Sequence, residues 1–246
     1  MTDEPGAVTL GIDIGGTGLK AGRLDPSGQL LGERERTRTP QPSSPDAVVA
    51  ELVKLVLPMG GYDRVSVGFP GVVRGGRVLT APNLGTKEWQ DFDLAGTLAA
   101  RLGRPVRMLN DATVQGLGVI AGRGVELVIT LGTGFGFALY EDGRLTPHLE
   151  MAQHPARKDM TYDEYLGAAA LNQVGRKRWR SRVKRVLAQL EVLTNFDALL
   201  IGGGNARLID WDLPPHVRVV GNEAGVTGGA RLWDPAFDAV FARAEE

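Results

Sequence analysis

Short apolar runs along the chain end in glycine turns, and two of these runs have matching surroundings. Residues 7–14, AVTLGIDI, lead into a Gly-Gly-Thr-Gly turn, after which LKAGRLD alternates between apolar and polar positions. Residues 126–146, ELVITLGTGFGFALYEDGRLT, repeat the order of strand, Gly-Thr-Gly turn, strand, turn and strand. The Asp-Gly dipeptide in this second copy is typical of a β-hairpin. Because Thr17 and Thr133 are 116 positions apart, the spacing is too long for a solenoid repeat and predicts a duplicated domain.

Between and after the two copies, segments with helical spacing of apolar residues alternate with strand-like segments. This alternation predicts an α/β fold with two related halves, 1–111 and 112–246, and we expect the last helix to pack back on the first half. Helices are expected at 43–57, 91–103, 162–175, 177–195 and 224–233, and further strands at 29–39, 64–73, 105–111 and 197–204.

Composition and charge exclude several classes of function. The 246 residues carry a formal net charge of −1 and contain no cysteine. The near-neutral charge gives no basis for a nucleic-acid or membrane-surface partner, and without cysteine there are no disulfides, zinc–thiolate sites or cysteine nucleophiles. No apolar run approaches the roughly 20 residues that span a bilayer, and the acidic N-terminal residues do not resemble a signal peptide. We therefore expect a cytoplasmic protein.

The two glycine turns predict a phosphate-binding site. A glycine turn between strands leaves backbone N–H groups uncovered and lets an anion approach closely, and a threonine hydroxyl adds a neutral donor. Two tight hairpins that need glycine only for their geometry are the alternative. The first turn offers Gly15, Gly16, Thr17 and Lys20, and the second offers Gly132, Thr133, Gly134 and Gly136. Since the second turn lacks an acid and a lysine, we expect it to bind phosphate through its backbone alone.

Two acids stand at the ends of predicted strands. Asp13 immediately precedes the first turn, where a carboxylate would lie beside phosphates and hold Mg²⁺ through water; a turn-capping aspartate is the alternative. Asp111 follows a strand at its carboxyl end, where open α/β sheets place their sites. A carboxylate there can accept the proton of a sugar hydroxyl, while Asn110 and Asn83 hold neighbouring hydroxyls. An ordinary Asn-Asp helix N-cap is the other interpretation.

A third glycine turn, Gly202-Gly203-Gly204-Asn205, ends the strand at 197–204. Together with the glycines of 225–229, its lack of side chains would allow a nucleotide base or a long anionic donor to bind. Close packing of helix on strand is the alternative for the glycines of 225–229.

The stretch 176–185, RKRWRSRVKR, has seven basic residues and invites a nucleic-acid interpretation. At helical spacing, however, Trp179, Val183, Val186 and Leu190 form an apolar stripe. The pattern therefore favours a helix whose basic residues form a solvated face. Such a face also suits a polyanionic substrate.

The collected motifs occur in a specific order: DIGGTGLK (13–20), GFPGVV (68–73), APNLG (81–85), LNDA (109–112), LGTGFG (131–136) and IGGGNA (201–206). Together they resemble the ROK family of sugar kinases, within the actin and hexokinase superfamily of duplicated ribonuclease H-like domains with a cleft between them. TKEW (86–89) is similar to a segment of the polyphosphate glucokinase branch. The resemblance implies transfer of a phosphoryl group from ATP or polyphosphate to the 6-hydroxyl of a hexose, with glucose the first candidate. It also implies a Mg²⁺ cofactor and a homodimer.

The resemblance also implies roles for individual residues. Asp111 matches the catalytic base, and the two Gly-Thr turns match the phosphate clamps. Residues 202–205, with Gly203, Gly204 and Asn205, and residues 224–229 match the nucleotide-side wall. The sugar ligands implied are Asn83, Asn110 and Glu150, with Glu164 as a second glutamate near the anomeric carbon.

The chain departs from the family pattern on the sugar side. Where the family has Glu-x-Gly-His or Glu-x-Ala-His, this chain has Glu150-Met-Ala-Gln153-His154. Either Gln153 takes the place of the histidine, or His154 does so with a shift of one residue. Glutamine donates and accepts like a neutral imidazole but cannot reproduce a role that depends on protonation. This departure, with Thr113 where the family usually has Asn or Asp, makes a catalytically impaired sugar-binding sensor or scaffold the alternative function.

Overall fold

The computed structural model describes residues 6–221 and 224–242. They form two compact units, Met1–Gly118 with Glu223–Glu246, and Val119–Asn222. The first has strands β1 (Thr9–Ile14), β2 (Gly18–Leu24), β3 (Glu35–Arg38), β4 (Arg64–Phe69), β5 (Val73–Arg74), β6 (Arg77–Val78) and β7 (Val106–Asn110), and helices α1 (Pro45–Val56), α2 (Thr86–Trp89), α3 (Leu94–Leu102) and α4 (Asp111–Leu117). The second has β8 (Val125–Leu131), β9 (Phe135–Glu141), β10 (Arg144–Leu145), β11 (Pro155–Arg157), β12 (Met160–Thr161), β13 (Ala198–Gly202) and β14 (Val217–Val219), with α5 (Tyr162–Leu166) and α6 (Ala168–Thr194). Helices α7 (Ala224–Thr227) and α8 (Asp238–Ala242) belong to the first unit.

Each unit contains a five-stranded sheet with the same topology. The strand order is β3-β2-β1-β4-β7 in the first unit and β10-β9-β8-β13-β14 in the second. In both sheets the first three strands are antiparallel and the last two join in parallel. The shared order confirms the predicted α/β class and the duplicated ribonuclease H-like halves, because one folding unit occurs twice.

The apolar pattern gives each unit its own core. One cluster packs α1 and α3 on the first sheet, and the other packs α5 and α6 on the second. The boundaries of α1 and α3 follow from local chemistry: Ser44 caps α1, Asp93 caps α3, and Gly103, with a φ of 64°, ends α3 in the left-handed conformation. Among the helices of the described residues, none is both long and apolar enough to cross a membrane.

Helix α6 confirms the expected helical stripe. Its Trp179, Val183, Val186 and Leu190 are buried, and the Trp179 indole donates to the carbonyl of Leu166 at 2.7 Å. The two consecutive helices that the sequence predicts meet at a break, where Gly175 has φ 74° and ψ 162°.

The strand expected over 29–39 is wrong in its first half, because only Glu35–Arg38 is extended in the sheet. The Asp25 carboxylate accepts the N–H groups of Ser27 and Gln29 at 2.9 Å and so holds a turn. Gly32 then adopts a φ of 101°, which interrupts an extended backbone.

The C-terminal segment packs on the first sheet although it follows the second unit in the chain. The Trp233 indole donates to Ser66 Oγ on β4 at 2.8 Å, and Ser66 Oγ donates to the carbonyl of Gly229 at 2.7 Å. A side chain on Gly228 would overlap the carbonyl of Val114 on α4. These contacts support the packing interpretation of the glycines there. The contacts divide the chain after Gly118, whereas the sequence pattern placed the division after residue 111.

Candidate active site

The first glycine turn joins β1 to β2 and presents two consecutive N–H groups. It is closed by the Gly15 N–H, which donates to the carbonyl of Gly18 at 2.9 Å, and by the Thr39 hydroxyl, which donates to the carbonyl of Gly15. The N–H groups of Gly16 and Thr17 donate to no atom of the described residues. Two adjacent N–H groups that donate to no described residue can receive an anion.

Asn83 is brought to this first turn by close packing. A Cβ atom on Gly16 would lie 3.2 Å from the Cβ of Asn83 and 3.3 Å from its carbonyl oxygen. Gly16 therefore lets the loop that carries Asn83 approach the turn. Asn83, an expected sugar ligand, therefore lies next to the first glycine turn, an expected phosphate clamp.

Asp13 and Lys20 are paired across β1 and β2. They are register partners, and Lys20 Nζ lies 2.8 Å from Asp13 Oδ2. The Asp13 side chain is 16% exposed and that of Lys20 is 48% exposed, so the lysine reaches further into solvent. The ion pair holds the ammonium group next to the turn.

The residues near the first turn could hold Mg²⁺ only if a bound substrate supplied some of its ligands. The described residues contain no group of three or more His, Asp or Glu side chains that could enclose an ion. Mg²⁺ usually keeps several waters and is held by one or two carboxylates together with substrate phosphates. The single carboxylate of Asp13, beside a turn with free N–H groups, fits that arrangement.

Asn110 is the N-cap of α4. Its Oδ1 accepts the N–H groups of Ala112 at 3.0 Å and Thr113 at 3.3 Å, and its Nδ2 donates to the carbonyl of Gly71 at 3.2 Å. The capping interpretation of Asn110 is therefore correct for this side chain. By holding the start of α4, Asn110 fixes the residue that follows it.

Asp111 is that residue, at the carboxyl end of β7. Its Oδ1 accepts the Ala112 N–H at 2.7 Å, which holds the carboxylate at the start of α4. Gly68 on the neighbouring β4 leaves room for it, because a Cβ there would lie 3.3 Å from the Asp111 Cα. The GFPG motif thus makes space for the candidate base.

The second glycine turn joins β8 to β9 and is closed by contacts with α5 and α6. The Gly132 N–H donates to the carbonyl of Gly134 and the Ala168 N–H to that of Thr133, each at 3.0 Å. The N–H groups of Thr133 and Gly134 have no acceptor within the described part of the chain. This turn therefore also presents two consecutive N–H groups.

Asp163 contacts this second turn, and sequence analysis did not identify it. Its Oδ1 accepts the Phe135 N–H at 2.5 Å, and its Oδ2 accepts Gln153 Nε2 at 3.4 Å. Burial raises the pKa of the Asp163 carboxyl above its ordinary value, the charges of Glu150 and Glu164 raise it further, and the two hydrogen bonds oppose the shift. An acid in the first turn of a helix is commonplace, so TYDEYLG alone carried no signal of this contact.

The other predicted sugar-side residues have separate partners. Glu150 Oε2 lies 3.5 Å from His148 Nε2. Glu164 forms a capping box with Thr161, whose N–H it accepts at 2.9 Å. The His154 ring lies 3.0 Å from the carbonyl of Pro155. Of the two residues that could replace the family histidine, Gln153 is therefore the one connected to the second turn.

The third glycine turn borders a cavity of about 490 Å³ in the second unit. A side chain on Gly203, whose φ is 87°, would overlap the backbone of Leu131. Asn205 Nδ2 donates to the carbonyl of Gly132 at 3.1 Å and so ties this turn to the second one. The cavity is lined by Gly203, Gly204, Asn205, Ala206, Arg207, Val219, Val220 and Gly221, and Arg207 gives its rim a positive charge.

The basic side chains of α6 divide into two groups. Arg180 pairs with Asp210 at 2.6 Å, Arg182 donates to the carbonyl of Tyr165 at 3.0 Å, and Lys184 lies 4.8 Å from the centre of the Trp211 ring. These three side chains stabilise the second unit. The remaining four, Arg176, Lys177, Arg178 and Arg185, are exposed.

Comparison with known proteins places this geometry among sugar kinases. The sequence model of the ROK family matches residues 9–154. A polyphosphate glucokinase from Mycobacterium tuberculosis is 34% identical over 249 residues, covering 93% of this chain and 94% of that protein. The crystal structure of an inorganic polyphosphate/ATP-glucomannokinase from Arthrobacter sp. strain KM is 36% identical, with a TM-score of 0.80 over 91% of this chain and 97% of that one. A ROK family glucokinase from Streptomyces griseus, in complex with glucose and AMPPNP, shares the fold with a TM-score of 0.75 at 22% identity, over 92% and 98% of the two chains.

Proposed function

The chain belongs to the ROK family, and on that premise we propose that it transfers a phosphoryl group from polyphosphate or ATP to the 6-hydroxyl of glucose. It is a phosphotransferase with a hydroxyl group as acceptor. The observation that carries the proposal is the Asp111 carboxylate at the carboxyl end of β7, in a chain similar over nearly its whole length to a polyphosphate glucokinase.

In the proposed reaction, Asp111 accepts the proton of the attacking hydroxyl. A carboxylate within hydrogen-bond reach of that hydroxyl raises its nucleophilicity as the bond to phosphorus forms. Asn110 fixes the backbone of α4 and so the position of Asp111. Asn83, Glu150, Gln153 and Glu164 supply hydrogen bonds to the other sugar hydroxyls.

The two glycine turns orient the donor. The N–H groups of Gly16 and Thr17 in one turn, and of Thr133 and Gly134 in the other, have no acceptor among the described residues and can donate to phosphate oxygens. Lys20 adds a positive charge at the first turn. Asp13 would hold Mg²⁺ together with the donor phosphates, and the ion would neutralise negative charge that develops on them.

Two features of the second unit support the use of both ATP and polyphosphate as donors. The cavity beside Gly203, Gly204 and Asn205 is large enough for a nucleotide base or for phosphate groups, and Arg207 lies at its edge. The four exposed basic side chains of α6 suit a polyanion. The relatives are named for polyphosphate or for both donors, and we propose that the chain accepts both. We also expect a homodimer, which light scattering of the purified protein would test.

A donor-by-sugar matrix tests the proposal. The purified chain is assayed with ATP and with polyphosphate against glucose, mannose and N-acetylated hexosamines, with Mg²⁺ present and with EDTA as the control. We expect glucose phosphorylation with both donors and none in EDTA. Binding of glucose by calorimetry without turnover with either donor would instead favour the sugar-binding sensor or scaffold, to which the Gln153 departure also points.

A further inference from the structure

The Asp163 carboxylate joins two parts of the second unit that are far apart in sequence. One oxygen accepts the N–H of Phe135, at the start of β9, and the other accepts the side-chain amide of Gln153 at 3.4 Å. Gly134 makes the first contact possible, because a Cβ atom at that position would lie 2.7 Å from Asp163 Oδ1. The absence of a side chain at Gly134 therefore serves a carboxylate of the protein as well as a bound anion.

Hydrogen-bond chemistry then fixes the orientation of Gln153. The Phe135 N–H can only donate, and an ionised carboxylate can only accept. Gln153 must therefore turn its NH₂ group toward Asp163, which leaves its carbonyl oxygen, Oε1, on the other side. Gln153 is exposed, and its Oε1 accepts no hydrogen bond from the described residues.

Resting on the proposed function, we propose that Asp163 is a positioning residue that turns the carbonyl oxygen of Gln153 toward the sugar and so makes residue 153 a hydrogen-bond acceptor for a sugar hydroxyl. The substitution Asp163→Asn would reverse this polarity. The introduced amide would keep its oxygen on the Phe135 N–H and present its NH₂ to Gln153, whose own amide would rotate. The sugar would then meet a donor where it had met an acceptor.

Glu164 does not share this role. Its carboxylate accepts the Thr161 N–H at 2.9 Å in the capping box of α5, so the two neighbouring acids are committed to different partners. Glu150 contributes charge near Asp163 but hydrogen-bonds His148. Asp163 is thus the carboxylate that faces Gln153.

An exchange of charge between the two positions tests the orientation. The variants are Asp163→Asn, Gln153→Glu, the double exchange D163N/Q153E and Gln153→Ala, with Asp159→Asn as a control that removes one exposed charge from the same segment. In the double exchange, the amide introduced at position 163 donates to the carboxylate introduced at position 153, whose second oxygen again offers an acceptor to the sugar. The pair also keeps its charge of −1, whereas Gln153→Glu alone places two carboxylates together.

The readouts are KM for glucose, kcat and glucose binding by calorimetry. We expect D163N and Q153A each to raise KM about three- to ten-fold with kcat little changed, as for the loss of one hydrogen bond to the sugar. We expect Q153E to be the weakest binder, the double exchange to recover most of the loss, and the Asp159 control to match the wild type.

Two results would overturn the inference. One is a glucose KM for Q153A equal to that of the wild type, and the other is a glucose KM for the double exchange as high as that of the weaker-binding single variant. Gln153 is exposed, so Q153A remains informative even if D163N does not fold. A wild-type chain that phosphorylates no sugar would contradict the proposed function. An active wild type in which the exchange does not recover binding would contradict only the role of Asp163.

Discussion

Asn110 and Asp111 are adjacent, but they have different roles in the proposed reaction. Asn110 caps α4, while Asp111 is the proposed general base. Asp111→Asn keeps an oxygen that can accept the Ala112 N–H, so the fold and glucose binding are expected to persist. We expect kcat to fall by about 10²–10⁴, the usual contribution of a general base. A coupled kinase assay with calorimetry checks this, and near-normal turnover in the variant would exclude Asp111 as the base.

Asp163 carries a second prediction at the scale of a residue, which concerns stability against pH. Its folded-state pKa is raised above the ordinary 3.8, first by burial, so between 3.8 and the raised value the folded chain binds more protons than the unfolded one. The contribution of Asp163 to the free energy of unfolding therefore decreases as pH rises through this window and is constant above it.

Asp163→Asn removes this titration, so the stability of the variant relative to the wild type should increase as pH rises through the window. Urea unfolding of both proteins at a series of pH values measures the difference. The exposed Asp159→Asn serves as the control for the loss of one carboxylate from the same segment. A relative stability of D163N that decreased with rising pH would contradict the assigned shift.

At the scale of elements, the second glycine turn offers a matched pair of substitutions. A Cβ on Gly134 would meet the Asp163 carboxylate, whereas a Cβ on Gly132 would meet no atom of the described residues within 4 Å. Gly134→Ala should displace the carboxylate, weaken its bond to the Phe135 N–H and cost about 1–3 kcal/mol of stability. Gly132→Ala should unfold at nearly the wild-type urea concentration. Equal midpoints for the two variants would show that the carboxylate does not depend on the turn.

The repeated element was predictable because its determinants are local. Apolar alternation, glycine turns and the Asp-Gly dipeptide lie within a few residues of one another, and in both sheets two strands joined by a glycine turn formed as the pattern indicated. The extension of β3 back to residue 29 was wrong because the left-handed Gly32 is invisible to an alternation pattern. The role of Asp163 could not be predicted, since its contact with Phe135 joins residues 28 positions apart and depends on how α5 packs against the turn.

For the whole molecule, the order of elements along the chain differs from their grouping in space. The chain completes most of the first unit, continues through the second at 119–222, and then returns. Trp233 holds the returning segment on the first sheet. Its indole donates to Ser66 on β4, and the guanidinium carbon of Arg107 on β7 lies 4.5 Å from the centre of its ring. The Arg107 guanidinium also donates to the carbonyl of Leu232 at 2.8 Å. The first unit therefore depends on residues that follow the whole second unit along the chain.

Trp233→Ala tests this dependence. The substitution removes a half-buried aromatic ring and its hydrogen bond, so we expect the free energy of unfolding to decrease by about 2–4 kcal/mol. We expect this destabilisation to be confined to the first unit. Hydrogen exchange followed by mass spectrometry should show faster exchange in peptides from β1, β4 and β7, with β8 and β13 protected as in the wild type. Trp211→Ala is the matched control, because Trp211 packs on the core of the second unit and should produce the opposite pattern. Equal acceleration in both sheets by Trp233→Ala would mean that the two units unfold as one.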